Sequence, residues 1–281
     1  MGGWAGGYAT DARNTGSGGC ALPFMSRLVF SVSVDDGHPL DLRMAETLAK
    51  HGMRASFYLP IRNAEGPPVM TAAQARELSR QFEIGSHTLD HRYLTRMDDN
   101  EAWRQISQGK TELEQRLGQA VTGFCYPGGQ FRSRHVHMVK RAGFAYARTI
   151  KNMHSDAGEQ RFMLPTSLQF YPHKRSVLIR NFISQGSYKA RWSAFQAIVT
   201  EDDWLMRIYR LFDHLEQHGK VFHLWCHALD IDRLHLWKAL DHFLGFVARR
   251  VPAGRRLDNA GLICDRRRDV ALVFPDHQKV M

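Results

Sequence analysis

Residues 28–59 read LVFSVSVDDGHPLDLRMAETLAKHGMRASFYL and contain one complete strand–helix–strand unit. The apolar, β-branched run at 28–34 predicts a buried strand, and the helical spacing of apolar residues in 39–51 predicts a helix after it. Residues 54–59 predict a second strand. Because a helix links the two strands, the unit predicts neighbouring parallel strands with helices packed outside them.

The same alternation continues along most of the chain and is marked by residues that favour helix ends. Thr71 and Asp98, each followed three residues later by Gln or Glu, predict helix starts, and Gly118 predicts a helix end. Further strands are predicted at 82–86, 122–126, 144–149 and 221–226, and further helices at 71–81, 98–117, 134–142, 202–218 and 232–247. Residues 164–170 and 177–183 are interpreted as two additional strands. This order predicts an α/β fold with a parallel sheet or barrel inside a layer of helices.

The composition limits the class of protein. Of the 281 residues, 43% are hydrophobic and 23% are charged, which excludes a disordered or fibrous chain, and the net charge of +10 favours acidic partners only in general. Four widely separated cysteines form no Cys-x-x-Cys pair, which argues against a zinc knuckle or a disulfide scaffold. Since no apolar run approaches the roughly 18 residues of a membrane span and residues 1–25 do not read as a signal peptide, we expect a cytoplasmic protein.

Two adjacent carboxylates, Asp35 and Asp36, directly follow the first predicted strand. Successive side chains at a strand end point in different directions, so one carboxylate can bind a cation while its neighbour acts as a base. Taken alone, an Asp-Asp-Gly sequence is more often a solvated turn.

His87 and His91 follow the strand predicted at 82–86, and their spacing places both rings on one side of a helical turn. Alone, such a pair is usually a pair of surface or core histidines. With Asp36 it forms a set of two histidines and one carboxylate, which leaves metal coordination positions open for water and substrate. Because loops that follow parallel strands gather at one edge of the sheet, the motifs predict a single metal site there.

A further histidine, His227, follows the apolar run at 221–226. At the rim of a site it could serve as a general acid, because the pKa of histidine lies near the working pH. His223, within the same run, is better explained as a core histidine with satisfied hydrogen bonds.

Four short motifs occur in a fixed order along the chain: Val-Asp-Asp-Gly at 34–37, Ser-His-Thr-x-x-His at 86–91, Phe-Cys-Tyr-Pro-Gly-Gly at 124–129 and Leu-Trp-Cys-His at 224–227. Together they resemble the polysaccharide deacetylases, the NodB-like enzymes of carbohydrate esterase family four. The resemblance implies a distorted (β/α)7 barrel over about residues 26–250. We therefore expect a flexible tail at 1–25, a deacetylase domain at 26–250 and an unassigned C-terminal extension at 251–281.

The resemblance also implies a metal centre and a reaction. Asp36, His87 and His91 would bind a divalent metal, zinc first, with cobalt, nickel and manganese as alternatives. Asp35 would be the general base that takes a proton from the water on that metal. The implied reaction removes acetyl groups from an N- or O-acetylated carbohydrate, which is the expected substrate.

The remaining motif positions are expected to contact the substrate. The backbone N–H of Gly128 would stabilise the oxyanion, and His227 would protonate the leaving amine or alcohol. The other candidates for substrate binding are Tyr126, Pro127, Gly129 and Trp225.

The chain departs from the family pattern at two points. The third motif of the family often begins with an arginine that steadies the base, and Cys125 stands at that position. The family's Asp-x-x-x-Trp element, which tunes the acid histidine, is not recognisable between 150 and 205. Its replacement is left open among three carboxylates: Asp156, Asp230 and Asp232.

Two other functions fit parts of the sequence. His154 and Asp156 form a His-x-Asp pair, which with His173 or His214 would make the facial triad of a non-haem iron oxygenase. That chemistry is usually found in an all-β fold, which the long predicted helices disfavour. A barrel with metal ligands but without the arginine and the tuning element would instead be a non-catalytic carbohydrate-binding protein.

Five basic residues interleave with aromatic residues between 129 and 148: Arg132, Arg134, Lys140, Arg141 and Arg148. No nucleic-acid-binding motif accompanies them, so we expect no specific nucleic-acid partner and interpret them as a solvated face. The alternative is that they favour an anionic glycan or a nucleotide-linked sugar. The oligomeric state is left open.

Overall fold

The computed structural model describes residues 27–218 and 220–265, so the tail predicted at 1–25 and the end of the C-terminal extension lie outside the described residues. Its strands are β1 (Val29–Asp35), β2 (Ala55–Leu59), β3 (Glu83–Ser86), β4 (Gly123–Cys125), β5 (Tyr146–Arg148), β6 (Leu168–Gln169), β7 (Val221–Cys226) and β8 (Arg256–Leu257). Its helices are α1 (Asp41–Lys50), α2 (Ala72–Ser79), α3 (Asp99–Leu117), α4 (Ser133–Arg141), α5 (Arg175–Ser184), α6 (Tyr188–Ile198), α7 (Trp204–Gln217), α8 (Ala228–Arg233) and α9 (Trp237–Arg250).

The strands form one parallel sheet in the order β5-β4-β3-β2-β1-β7-β6, and β8 pairs with the part of β1 that β2 does not reach. Leu164 forms a bridge with Arg148 of β5, while Leu168 pairs with Leu224 of β7. The segment between Leu164 and Leu168 therefore connects the two outer edges of the sheet and closes it into a distorted barrel. The predicted NodB-like α/β barrel is confirmed.

Local signals account for several helix ends. Thr71 accepts a hydrogen bond from the backbone of Gln74, and the Gln74 side chain accepts one in return, which is the predicted capping box of α2. Asp98 caps α3 at the backbone of Glu101, and Gly118 ends α3 in a left-handed conformation with φ +72°.

Two stretches differ from the prediction. Residues 177–183 are helical and lie in α5, because Leu178 and Phe182, four residues apart, are the pair that packs into the core. The single helix predicted at 232–247 is divided into α8 and α9, and His235 between them has φ +54°, which a continuous helix excludes. The strand predicted at 164–170 is regular only at Leu168–Gln169, and α6 was not predicted.

The interior of the barrel is polar along β1. Ser31 donates a hydrogen bond to Asn259 Oδ1, and Asn259 Nδ2 donates to Ser33 Oγ and to the Tyr58 hydroxyl. The hydroxyl of Ser33 also lies 2.5 Å from His223 Nε2. Since side chains alternate along a strand, the next inward position on β1 is Asp35. Within residues 27–218 and 220–265, no helix combines the length and the hydropathy that crossing a bilayer requires.

Candidate active site

The two adjacent carboxylates at the end of β1 have different partners. Asp35 is 3% exposed, and its Oδ2 accepts a hydrogen bond from Arg148 Nη1 at 2.9 Å. Asp36 follows in a left-handed conformation with φ +82°, and its Oδ1 lies 3.1 Å from His91 Nε2. Such a backbone conformation is strained for a residue with a side chain and is typical of functional sites. The turn thus separates the two neighbouring acids.

His87 and His91 lie together, although not on the helical turn that their spacing predicted. Residues 87–91 are irregular, and Thr88 and His91 have φ values of +71° and +55°. The two ring centroids are 4.9 Å apart. The predicted helical turn was wrong, because the left-handed residues Thr88 and His91 are incompatible with a helix. The resulting loop still brings the two rings together.

Asp36, His87 and His91 place three potential ligand atoms around one point. Asp36 Oδ1 is 3.6 Å from His87 Nε2, and the three residues each offer a ligand atom within 4.8 Å of the others. His87 Nδ1 donates to the carbonyl of Cys125 at 2.9 Å, which leaves the Nε2 lone pair free to bind a metal.

The ionisation of Asp36 and the neutral ring of His87 suit a cation. Burial lowers the pKa of His87 to about 4, so its imidazole is neutral at neutral pH. Burial alone would raise the pKa of Asp36, but the hydrogen bond with His91 and the charges of the surrounding histidines hold it well below its usual range. Burial opposes the charged form of His91, but the hydrogen bond and the charge of Asp36 raise its pKa. A metal displaces this proton when it binds, and a carboxylate with two imidazoles is a donor set that fits a divalent metal.

Arg148 is a residue of this site that the sequence analysis assigned to a solvated surface. That interpretation is wrong, because Arg148 is fully buried, whereas the other four basic residues of that group are exposed. Arg148 on β5 pairs in register with Cys125 on β4, and its Nη1 lies 3.2 Å from Cys125 Sγ. The guanidinium also lies over the Trp225 ring, 5.0 Å from its centroid. Arg148 thus brings a guanidinium to Asp35 from the strand next to Cys125, the position at which the third motif lacks an arginine.

A second group of potential ligands consists of Asp35, His87 and Cys125. The Arg148 guanidinium contacts both the carboxylate and the sulfur of this group. Because a fixed positive charge already pairs with Asp35, this group is a poor cation site, and the set that contains Asp36 is the better candidate.

His227 lies at the rim of the site, with its Nε2 3.9 Å from Asp36 Oδ2. Its Nδ1 donates to Asp230 Oδ2 at 2.8 Å, so Asp230 is the one of the three candidate carboxylates that contacts it. Burial opposes the charged form of His227, but the Asp230 hydrogen bond and the charges of Asp36 and Asp35 outweigh it and raise its pKa to about 9. His227 is therefore protonated at neutral pH.

Of the predicted substrate residues at 126–129, Tyr126 and Pro127 are buried, whereas Gly128 is exposed and Gly129 is half-buried. Gly128 is exposed and has φ +57°, and a Cβ placed there would lie 2.8 Å from the Tyr93 ring. Gly129 is equally restricted by Ile150, at 2.3 Å. Pro127 is buried, and the Tyr126 side chain stacks on Phe131 and donates to the Phe162 carbonyl at 3.2 Å. The Tyr126 side chain thus packs in the core and is not brought to the open site.

Trp225 lies between the site and a neighbouring cavity. Its ring is 5.3 Å from the His227 ring, and it lines a cavity of about 220 Å³ together with Tyr171, Trp204 and Asn152. Most of this lining comes from residues 150–208, which lie outside the four motifs shared with the deacetylase family. Aromatic rings beside amide groups are a surface suited to a sugar ring.

The residues of the iron oxygenase hypothesis are not assembled. His154 Nδ1 is 4.0 Å from Asp156 Oδ1, but neither His173 nor His214 joins them among the described residues that could share a metal. His173 instead pairs with Gln169 and His214 with Ser193. The parallel barrel also differs from the all-β fold that this hypothesis requires.

Comparison with known proteins agrees with this geometry. Residues 26–147 match the family model for polysaccharide deacetylases. The chain is 23% identical over 115 residues to YxkH of Bacillus subtilis (strain 168), whose name places it among the polysaccharide deacetylases. That match covers 40% of this chain and 41% of the relative, so the chain spans less than half of the curated protein it resembles. The predicted resemblance to the polysaccharide deacetylase family is confirmed.

Solved structures extend the likeness of the fold to nearly the whole chain. A Mycobacterium smegmatis protein assigned to the polysaccharide deacetylases superposes with a TM-score of 0.59 and 14% identity over 93% of this chain and 96% of that one. A variant of the peptidoglycan deacetylase PdaC of Bacillus subtilis gives a TM-score of 0.52 and 13% identity over 90% and 96%. At these identities the likeness establishes the barrel fold.

Proposed function

We propose that this chain is a metal-dependent hydrolase that removes acetyl groups from an N- or O-acetylated carbohydrate. The observation that carries the proposal is that two adjacent carboxylates have different partners. Asp36 lies beside two histidines, whereas Asp35 lies beside Arg148. The family and the names of the relatives support acetylated carbohydrate as the substrate class.

Asp36, His87 and His91 would hold the metal, with zinc as the first candidate and cobalt, nickel or manganese as alternatives. When bound there, a divalent ion polarises the acetyl carbonyl and makes water a stronger nucleophile at neutral pH. Asp35 accepts the proton of the attacking water. Arg148 fixes the orientation of the Asp35 carboxylate and stabilises its negative charge.

The other two groups act on the carbonyl oxygen and on the leaving group. The Gly128 backbone N–H would donate to the oxyanion, since Gly128 is the exposed residue of the tight turn at 127–129. His227, protonated at neutral pH, would donate its proton to the leaving nitrogen or oxygen, and Asp230 holds the ring and stabilises its charge.

The test is acetate release from N-acetylated chito-oligosaccharides and from O-acetylated xylan, measured with zinc, with cobalt and with a chelator. We expect a chelator to abolish release. Asp35→Asn should retain the metal and lose turnover, whereas Asp36→Ala should lose both, and Asp156→Asn serves as the matched control with both retained. Unchanged turnover in Asp35→Asn would exclude Asp35 as the base.

The alternative of a non-catalytic carbohydrate-binding protein rested on two missing groups. Arg148 contacts Asp35, and Asp230 contacts His227, so both candidate catalytic residues have a charged partner. This observation favours catalysis. Binding of the same glycans without acetate release, by metal-loaded protein, would favour the alternative.

A further inference from the structure

The helical hairpin formed by α5 and α6 lies in an unusually basic part of the chain. Residues 160–200 contain no Asp or Glu, but they contain six Lys and Arg: Arg161, Lys174, Arg175, Arg180, Lys189 and Arg191. The side chains of Lys174, Arg180 and Lys189 are exposed. Acidic residues stand just outside this range and Asp202 pairs with Arg175, so the positive charge of the hairpin surface comes from Lys174, Arg180 and Lys189.

The same hairpin carries an exposed apolar patch. Its members are Ile179, Ile183, Tyr188 and Trp192, whose exposed fractions are 38%, 61%, 50% and 51%. They are four of the six large hydrophobic side chains that are exposed among the described residues. Exposed apolar groups scattered singly need no explanation, but a cluster of them on one element marks an interaction surface.

Contacts link three members of the patch, Ile183, Tyr188 and Trp192, on a fixed support. The rings of Tyr188 and Trp192 contact Phe182, with centroids 5.5 and 5.9 Å away, and the Tyr188 hydroxyl donates to the Ile183 carbonyl at 2.7 Å. Beneath it the buried Arg191 guanidinium donates to the carbonyls of Phe182 and Gly186 at 3.0 and 2.7 Å. The hairpin thus presents its apolar side chains from a preformed surface.

We propose that the α5–α6 hairpin docks on an anionic lipid surface. Tryptophan and tyrosine favour the boundary between water and acyl chains, and the two isoleucines add apolar area that can enter this layer. Lys174, Arg180 and Lys189 would meet the negatively charged headgroups. This inference concerns the surface alone and does not depend on the proposed catalytic function.

Other occupants match only part of this surface. A second copy of the chain in a two-fold arrangement would bring one basic hairpin against another, and like charges oppose that contact. An acidic glycan would satisfy the basic side chains but would leave Ile179 and Ile183 exposed to water. A lipid surface satisfies both the charge and the apolar area.

Docking would also position the site. The cavity beside Trp225 is lined by Leu178, Asn181 and Gln185 of this hairpin. A hairpin bound to the headgroup layer therefore holds that cavity close to the lipid surface.

The test is co-sedimentation of the full chain with vesicles of phosphatidylcholine alone and of phosphatidylcholine mixed with phosphatidylglycerol. We expect binding only to the mixed vesicles, weakened by added salt. Ile183→Glu should abolish binding, and Lys189→Ala should weaken it about fivefold. Leu234→Glu, at a site 38% exposed and outside the hairpin, is the matched control and should bind like the wild type.

Thermal melting of each variant separates loss of binding from loss of folding, and Lys189→Ala changes only an exposed side chain. Equal binding to both kinds of vesicle, binding to neither, or wild-type binding by Ile183→Glu would overturn the proposal. A dimer in solution that Ile183→Glu dissociates would assign the surface to a second copy instead.

Discussion

The guanidinium of Arg148 lies 2.9 Å from the Asp35 carboxylate and 3.2 Å from the Cys125 sulfur. A cation from β5 thus contacts the candidate base at the point where β4 offers only a thiol. Because the two positions pair in register on adjacent parallel strands, their side chains enter the barrel side by side. The positive charge beside Asp35 therefore comes from β5, whereas the third motif of the family often has its arginine at the position of Cys125 on β4.

We expect Arg148→Met to lower kcat about 10- to 100-fold while the metal content stays unchanged, because such a positioning residue acts through the base. The kcat of Arg148→Lys should fall between those of the wild type and Arg148→Met, because lysine keeps the charge but lacks the planar guanidinium. Acetate release and metal analysis on the same samples check this.

A double variant tests whether the arginine can act from β4 as well as from β5. Cys125→Arg combined with Arg148→Cys returns the arginine to β4 and should recover part of the lost kcat. If Arg148→Met kept the full kcat, Arg148 would serve the fold alone.

The Asp230 hydrogen bond to His227 predicts a shift in pH dependence. His227 has a pKa of about 9, so the acid form is lost and kcat/KM falls as the pH rises through that value. Asp230→Asn removes a group that raises this pKa and should move the alkaline limb to lower pH. Asp232→Asn is the matched control, since Asp232 accepts from Trp237 and does not contact His227. Coincident alkaline limbs in the two variants would contradict the assignment.

Gly128 predicts a local steric effect at the turn. Gly128→Ala adds a Cβ at φ +57°, 2.8 Å from the Tyr93 ring, so the turn or the ring must shift, and a shift of the turn moves its N–H. Gly118→Ala is the control, because it has a similar φ of +72° but open space around it. Both should lose about 1–2 kcal/mol of unfolding free energy from the left-handed conformation. Only Gly128→Ala should also lower kcat, and equal kcat values in the two variants would contradict this prediction.

His223 predicts acid sensitivity of the fold. Burial and the charge of Arg148 lower its pKa to about 3, and its ring lies between Ser33 and the Pro165 carbonyl. Between pH 6.5 and that value the unfolded chain binds the extra proton, so the free energy of unfolding falls as the pH falls, by about 1.4 kcal/mol per pH unit for this residue.

Denaturant titrations across this pH range measure the slope. His223→Gln should make it shallower, whereas His137→Gln, at an exposed position of α4, should not. A slope that His223→Gln leaves unchanged would contradict the prediction.

The fold could be predicted largely from the sequence, because apolar periodicity and capping residues are local signals. Asp35, Asp36 and His87 were found because they directly follow short buried strands. Arg148 was missed because its burial depends on pairing between strands, and nothing near it in the sequence distinguishes it from the exposed Arg141.

Two further features needed the three-dimensional structure. The loop at 87–91 takes its shape from left-handed residues that spacing alone does not reveal. The choice of Asp230 over Asp156 and Asp232 depends on the direction in which α8 starts after His227.

Asn259 gives the C-terminal segment a structural task. It lies in the segment that sequence motifs left unassigned, yet it is fully buried. Its side chain closes one end of the barrel by hydrogen bonds to Ser31, Ser33 and Tyr58. A chain that ends at residue 250 would lack Asn259, so water would reach the hydroxyl groups of Ser31, Ser33 and Tyr58. It would also lack β8, which pairs with β1. Anyone shortening this protein for expression should therefore keep the residues up to 265.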